Sequence, residues 1–384
     1  MMLTSLYNHR GELRSAIVRR AARGLSHVVH TRYPPFFWGF PLARTDLPIF
    51  TYHDVSTEAF ARDLEFLRVN GYRTIGLDEF MASGNRKAPN RERRVLLTFD
   101  DARSSFYDAA LPTLRTFGAR ATLFVPSYWI SAPAATAGAL FMSWDQVRSC
   151  AESGLVDVQS HAHRHALVPT SGSLIAFASP PLLQQYDIYD WPMRGSAGGD
   201  LLGRPPLGTP VYRAAPLLSA PRRFLESPEL TEACVQFVAE SGGAAFFSRP
   251  DWVGQLHRLY TSRSSVLQGE FMSEVAFTNL VASEFERTRA DFLTHLGYAP
   301  SCVAYPWMLG SQRSLHLAHQ HGFKCAFGVA LDYRRARDRR HPLTVFGRLK
   351  SDWLPLLPGK GRASFLRLAA RKAAAFSKMQ PLAH

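Results

Sequence analysis

The chain has 384 residues, of which 46% are hydrophobic and 20% charged, so it can build a large core and is not a mainly disordered protein. Lys and Arg outnumber Asp and Glu by 45 to 31, and the formal charge of +14 favours an anionic partner such as nucleic acid, an acidic membrane face or an acidic polymer. The sequence lacks both an apolar stretch long enough to span a membrane and a signal-peptide pattern, so we expect a cytoplasmic protein.

The four cysteines are scattered along the chain and form no CxxC pair. This spacing indicates neither a zinc knuckle nor a disulfide framework. We therefore expect ordinary core residues at Cys150, Cys234, Cys302 and Cys325.

Residues 1–46 form a basic and aromatic N-terminal arm, with a predicted helix over 11–29 followed by the aromatic stretch 34–40. An Arg-rich helix beside exposed aromatic rings would suit an anionic membrane surface. The alternative, which we favour, is that the rings pack on the folded domain, because aromatic side chains are mostly buried by protein.

From residue 47 onward, short apolar runs alternate with segments of helical period. This rhythm predicts a parallel sheet with helices outside it, open or closed into a barrel. The predicted strands are 48–54, 73–76, 95–99, 121–125 and 155–160, and the predicted helices are 57–70, 77–83, 104–117 and 143–153.

Residues 166–269 interrupt the rhythm with many prolines and glycines. We expect a long insertion with little regular structure before Pro228 and one helix over 229–241. Because long loops in compact domains are usually functional, the insertion is the expected place of substrate specificity. Regular structure then returns with helices 270–296 and 311–320, strands 302–306, 325–329 and 344–348, and a basic tail over 351–384 that carries a helix over 361–379.

Two adjacent carboxylates, Asp100 and Asp101, follow the predicted buried strand 95–99. Neighbouring carboxylates at a strand end repel each other, so a structure that keeps both usually supplies a cation or lets one hold a proton. The alternative is that they only cap the helix that begins at Ser104.

Three histidines, His161, His163 and His165, follow the predicted strand 155–160. Imidazoles four residues apart can bind one ion, and they favour zinc or another late first-row metal over magnesium. The alternative is an exposed His-rich loop. If this strand end meets that of the two aspartates, one carboxylate and two imidazoles make a catalytic metal site, and the second carboxylate can act as general base.

These two motifs, with Tyr305-Pro306-Trp307 after a later strand, resemble the polysaccharide deacetylases of the NodB-homology type, carbohydrate esterase family 4. The resemblance covers about 47–349 apart from the insertion. It implies an α/β fold, a distorted (β/α)7-type barrel over residues 47–350, and metal-dependent hydrolysis of N- or O-acetyl groups on a saccharide or glycan precursor.

Carried over by position, the resemblance makes Asp100 the general base. It makes Asp101, His161 and His165 the ligands of a divalent metal, with zinc preferred and cobalt or nickel as alternatives. Ala102 replaces the usual glycine, which is tolerable if the turn keeps a negative φ. The remaining assignments are Arg213 as the partner of Asp100, His341 as the acid with His53 and His163 as alternatives, and Tyr305, Trp307 and His53 as substrate-binding residues.

The expected partner is an acetylated saccharide, and nucleic acid is not expected. The basic termini would allow peripheral contact with an anionic membrane at its inner face. A competing hypothesis is a catalytically impaired relative that binds an anionic glycan or a lipid-linked sugar. A magnesium phosphohydrolase is disfavoured, since magnesium prefers oxygen ligands. The oligomeric state stays unpredicted.

Overall fold

The computed structural model describes residues 34–42, 46–83, 92–132, 140–195, 199–267, 269–328 and 343–376, with the backbone alone over 371–376. Its strands are β1 (Ile49–Tyr52), β2 (Tyr72–Thr74), β3 (Arg93–Phe99), β4 (Ala121–Val125), β5 (Val156–Ser160), β6 (Leu167–Phe177), β7 (Pro210–Pro216), β8 (Phe224–Leu225), β9 (Glu270–Phe271), β10 (Cys302–Ala304), β11 (Cys325–Phe327), β12 (Thr344–Phe346) and β13 (Leu349–Lys350).

The main sheet runs in the order β12-β11-β10-β5-β4-β3-β1-β13, with β2 paired to β3, and all of its pairings are parallel. Only Gly347 and Arg348 separate its two end strands along the chain. Since a residue spans at most about 3.6 Å, the two edges of the sheet lie close together. Apart from β2, and with β12 and β13 counted as one interrupted strand, the sheet has seven strands. The predicted α/β fold, a parallel sheet with helices outside it, is confirmed.

Helices cover the outside of this sheet and connect its strands. Several begin at a serine cap: Ser143 and Gln146 form a capping box, and Ser273 caps the longest helix. The helices are α1 (Thr57–Val69), α2 (Leu77–Ser83), α3 (Leu111–Phe117), α4 (Ser127–Ser131), α5 (Trp144–Glu152), α6 (Pro180–Gln185), α7 (Pro228–Glu240), α8 (Trp252–Ser264), α9 (Glu274–Leu296), α10 (Gln312–Gln320) and α11 (Phe365–Phe376).

The core lies on both faces of the sheet, because successive side chains of a strand point to opposite faces. From β3, Leu97 and Phe99 pack in the cluster that includes Leu64 of α1 and Leu114 of α3. Leu96 belongs instead to a second cluster, with Phe124 of β4 and Phe327 of β11. Burial on both faces explains why β3 is a continuous apolar run rather than an alternating one.

The expectation that the insertion has little regular structure before Pro228 is wrong. It contains an antiparallel ribbon of β6 and β7, with register shifts between Pro169 and Ala176. The proline and glycine content of this segment predicts a loop, but both residues are also tolerated at strand edges and bulges. The ribbon was therefore not predicted. The helix predicted over 229–241 is confirmed as α7, whereas α8 was not predicted.

The expectation that all four cysteines are ordinary core residues is half wrong. Cys150 and Cys234 are free and buried, as expected, but Cys302 and Cys325 form a disulfide. These two residues are register partners on the neighbouring strands β10 and β11, with their Cα atoms 4.8 Å apart. A separation of 23 positions does not reveal such a pairing.

The N-terminal aromatic stretch and the C-terminal helix pack against each other. Phe36 and Phe37 are buried, and the Phe37 ring lies 5.3 Å from that of Trp353 and 6.0 Å from that of Phe365. The favoured expectation for this stretch, packing on the domain, agrees with these contacts. The helix predicted over 11–29 lies outside the described residues. Within the described part of the chain, no helix combines the length and apolar character needed to cross a bilayer.

Candidate metal centre

Most of the predicted site residues, together with Arg348, lie where parallel strands of the main sheet end. His53 follows β1, Asp100 and Asp101 follow β3, and His161 follows β5. Tyr305 follows β10, and Arg348 lies in the break between β12 and β13. The carboxyl ends of parallel strands face the same side of a sheet, so the topology alone places these residues at one mouth of the barrel.

Asp101, His161 and His165 bring three donor atoms together, all within 4.8 Å of one another. The Nε2 atoms of both histidines lie 3.4 Å from the same oxygen, Oδ1 of Asp101. All three side chains are buried. The alternative of an exposed His-rich loop is therefore wrong, and Asp101 faces the two imidazoles rather than capping a helix.

The loop that carries the histidines is fixed by hydrogen bonds to residues outside the donor set. His161 Nδ1 lies 2.9 Å from the carbonyl oxygen of Ala304, which leaves Nε2 free to bind an ion. The buried carboxylate of Glu284 on α9 accepts hydrogen bonds from the backbone N–H groups of His163 and Arg164, at 3.2 and 2.8 Å, and from Arg164 Nε at 2.7 Å. His163 itself contacts Ser127 and Asp291 rather than the donor atoms.

Backbone strain is concentrated at this mouth of the barrel. Within the described ranges, six residues other than glycine have a positive φ, and all six follow β3, β5 or β10. The condition that the turn at Ala102 keeps a negative φ is not met, since its φ is +48°. Left-handed backbone at non-glycine residues costs free energy and clusters at functional sites. The six residues are Asp101, Ala102, Ala162, His165, Trp307 and Met308.

Asp100 is held by an arginine that the sequence did not indicate. Arg348 donates to its Oδ1 and Oδ2 at 2.6 and 2.7 Å, and both residues are buried. The predicted pairing of Asp100 with Arg213 is wrong: Arg213 is an exposed residue of β7. Arg348 lies in no recognisable sequence motif.

The charges at the site shift the pKa of each member. Burial raises the pKa of Asp100, but the charges of Arg348 and His161 outweigh burial and leave this pKa below its ordinary value. Burial likewise raises the pKa of Asp101, and His161 and His165 reverse the effect. Burial lowers the pKa of His165 to about 3, so this imidazole is neutral and able to bind a metal at neutral pH.

Unlike the pKa values of the other three groups, the pKa of His161 is raised. Burial lowers it, but Asp100 and Asp101 outweigh burial and raise it above its ordinary value. In the absence of a cation, the two carboxylates thus favour the protonated form of His161. A divalent ion would replace that proton.

The aromatic residues predicted to bind substrate differ in exposure. The Trp307 ring is half-buried and lies 4.3 Å from that of His165, on the wall of the site. Tyr305 is fully buried, so its ring is part of the core in this structure. His53 is exposed, and its charge contributes to the low pKa of Asp100. His341 lies outside the described residues.

Two further residues complete the wall of the site. Tyr189, from the insertion, stacks on His165 with ring centroids 4.0 Å apart. Arg103 lies 3.8 Å from Asp101 and is hydrogen-bonded to Asp187 at 2.7 Å. The sequence signals neither role, because each depends on the insertion folding back over the mouth of the barrel.

The donor set fits a late first-row divalent cation. One carboxylate and two imidazoles match a three-ligand catalytic zinc site, whereas magnesium would require more oxygen ligands. The fit also rests on Asp101 Oδ1, which is buried and has no hydrogen-bond partner among the described residues. A buried carboxylate oxygen without a donor is costly, and a metal ion would compensate it.

The family model for polysaccharide deacetylases matches residues 87–175, a segment that contains all three donor residues and Asp100. A poly-beta-1,6-N-acetyl-D-glucosamine N-deacetylase of Escherichia coli strain K12 is 31% identical over 133 residues, which cover 32% of this chain. The match covers only 20% of that relative's length.

Among solved structures, a de-N-acetylase from Aggregatibacter actinomycetemcomitans matches with a TM-score of 0.50. The match covers 84% of this chain and 98% of that one at 17% sequence identity, so it shows the fold alone. The family match over residues 87–175 confirms in that segment the resemblance that the motifs predicted.

Proposed function

Because the segment that carries the donor residues matches the polysaccharide deacetylase family, we propose that the chain hydrolyses N- or O-acetyl groups on a saccharide with the help of a divalent metal. The observation that carries the proposal is the convergence of Asp101, His161 and His165 beside the ionised carboxylate of Asp100. Zinc is the preferred metal, with cobalt or nickel as alternatives.

Each side chain has a distinct role in this proposal. Asp101, His161 and His165 would hold the metal, which when bound supplies a Lewis acid and makes water more acidic. Asp100 Oδ2 lies 3.8 Å from His161 Nε2 and takes the proton of the attacking water as general base. Arg348 keeps Asp100 ionised and fixes its orientation. The group assigned to protonate the leaving amine or alcohol stays His341, which lies outside the described residues, and His53, exposed at the same mouth, is an alternative.

Acetate release from acetylated saccharides tests the proposal. We expect the zinc-loaded chain to release acetate, with Asp100→Asn lowering kcat by about 100-fold or more and His161→Ala removing metal and activity together. His257→Ala changes an exposed histidine on α8 and serves as the control. Activity that survives both site changes contradicts the proposal. A chain that retains metal and binds glycan but releases no acetate would favour the alternative of a catalytically impaired binding protein.

We also propose a peripheral contact with an anionic membrane, supported by the surface formed by residues 34–40 and α11. Trp38, Phe40 and Leu366 are 54%, 60% and 76% exposed there, and Arg367 beside them is also exposed. Aromatic rings next to cationic side chains suit the interface of an anionic bilayer. Sedimentation with phosphatidylglycerol vesicles should fall in a Trp38→Ser/Phe40→Ser variant. It should not change in Val266→Ser, which alters an exposed apolar residue elsewhere.

A further inference from the structure

Tyr189 is fixed against the candidate metal centre by contacts on several sides. Its ring stacks on His165 and lies 5.3 Å from Trp129 and 5.5 Å from Phe141, measured between ring centroids. The guanidinium of Arg103 lies 5.0 Å from the same ring. A ring packed on this many sides has little rotational freedom, so its hydroxyl has a defined position.

The insertion supplies Tyr189 through a short turn that is tied to the barrel. Asp187 and Asp190 close the turn Ile188–Asp190 with reciprocal side-chain to backbone hydrogen bonds. Asp187 also accepts a hydrogen bond from Arg103, two positions after the metal-ligand candidate Asp101. The turn is therefore attached to the strand end that carries Asp101.

The hydroxyl of Tyr189 is buried and has no hydrogen-bond partner among the described residues. A buried tyrosine hydroxyl normally finds a partner, and leaving one without a partner destabilises the folded state. Packing explains the ring but not the hydroxyl, because phenylalanine would pack equally well without this cost. An unpartnered donor at a site wall is what a bound ligand would use.

We propose that the Tyr189 hydroxyl donates a hydrogen bond to an oxygen of the acyl group bound at this centre. The inference rests on the proposed function for the acyl group itself. Because the ring stacks on His165, an acyl group bound at the metal lies next to Tyr189, and the atom that such a group presents to the metal is its carbonyl or carboxylate oxygen. A donor fixed in advance at that oxygen stabilises the negative charge that develops on it during hydrolysis.

Acetate binding to the zinc-loaded chain tests this role apart from catalysis. Titration calorimetry with sodium acetate should show an affinity about five- to tenfold weaker in Tyr189→Phe, the loss expected for one neutral hydrogen bond, with unchanged zinc content. Tyr186→Phe removes a hydroxyl from the same insertion, where the ring contacts Trp191 instead of the site, and should bind acetate normally. In acetate-free protein, Tyr189→Phe should unfold at an equal or higher temperature, since it removes an uncompensated donor.

Equal acetate affinity in Tyr189→Phe and the native chain would overturn the inference, as would a lower unfolding temperature of the acetate-free variant. Absence of acetate binding by the zinc-loaded native chain would overturn it too. The proposed function fails in a different way: no acetylated saccharide is hydrolysed, although acetate binding still depends on Tyr189.

Discussion

Arg348 donates one hydrogen bond to each carboxylate oxygen of Asp100, although 248 positions separate the two residues in the chain. Both are buried, and Arg348 Nη1 also lies 3.3 Å from Thr98 Oγ1. A two-pronged arginine–carboxylate contact fixes orientation as well as charge. The break between β12 and β13 therefore matters for the site, because the side chain of Arg348, which lies in the break, contacts the general-base candidate.

Replacing Arg348 with methionine should leave Asp100 buried without its countercharge. Because burial alone raises the pKa of Asp100, we expect the acid limb of the pH profile of kcat/KM to move to higher pH. Activity at neutral pH should fall by roughly 100-fold or more. Breaking a buried ion pair should also cost about 3–5 kcal/mol of unfolding free energy. The matched control is Arg213→Met on exposed β7, and an equal loss in both variants would contradict the role of Arg348.

Binding of zinc should stabilise the chain through the three donor residues. Asp101, His161 and His165 come together only in the folded state, so added zinc should raise the unfolding temperature of metal-free protein. His165→Ala should remove most of this increase, and magnesium should produce little of it in the native chain. Equal increases in native protein and His165→Ala would place zinc elsewhere.

Glu284 should matter for the metal although it does not touch it. Its two oxygens accept three hydrogen bonds from the loop between His161 and His165, so Glu284→Gln replaces an acceptor by a donor that faces other donors. We expect a loss of about 3 kcal/mol in unfolding free energy and weaker zinc binding by about tenfold or more. Glu286→Gln, on the exposed face of the same helix, is the control. Unchanged zinc affinity in Glu284→Gln would show that the loop holds its shape without this contact.

The sequence was sufficient for the parts of the site that lie next to each other in the chain. Asp100 and Asp101 follow one apolar run and the histidines follow another, and the strand-end rule brings both to one place. It was insufficient for contacts between distant segments. The partner of Asp100 and the ring on His165 depend on where the last strand and the insertion fold back, and no local pattern encodes either position.

The same contrast between local patterns and contacts of distant segments explains which parts of the fold were predicted wrongly. Helices such as α1, α7 and α9 carry local signals, namely a serine cap and a helical period, and each begins within four residues of its predicted start. The ribbon of β6 and β7 depends on pairing across more than thirty positions and contains proline and glycine. Tertiary pairing overrides the local preference there.

Asp63 should make the protein less stable as pH rises, whereas most carboxylates make a folded protein more stable as pH rises. Burial raises its pKa to about 6, although the hydroxyl of Tyr52 donates to it at 2.9 Å. Between pH 4 and pH 6 the unfolded chain ionises at this position first, so the contribution of Asp63 to stability is lost as pH rises through that range. We therefore compare the unfolding free energy of metal-free Asp63→Asn with that of the metal-free native chain. The variant's value minus the native value should be roughly 2 kcal/mol larger at pH 7.5 than at pH 4. Asp145→Asn, which alters an exposed carboxylate, should show no such gain, and a gain independent of pH would contradict the assignment.

The disulfide between Cys302 and Cys325 connects strand pairing to the site, because β10 ends at Ala304, whose carbonyl oxygen contacts His161 Nδ1. Reduction should lower the free energy of unfolding by about 3 kcal/mol, as expected for a cross-link that closes a loop of this length. It should also weaken zinc binding, because the acceptor that orients His161 loses part of its support.

A Cys302→Ala/Cys325→Ala variant should be insensitive to reductant, whereas Cys150→Ala should respond as the native chain does. Thiol labelling of the unfolded native chain without reductant should modify only two of its four cysteines, Cys150 and Cys234. Four labelled cysteines would show that the cross-link is absent. A native chain that keeps its zinc affinity after reduction would show that β10 holds Ala304 in place through backbone pairing alone.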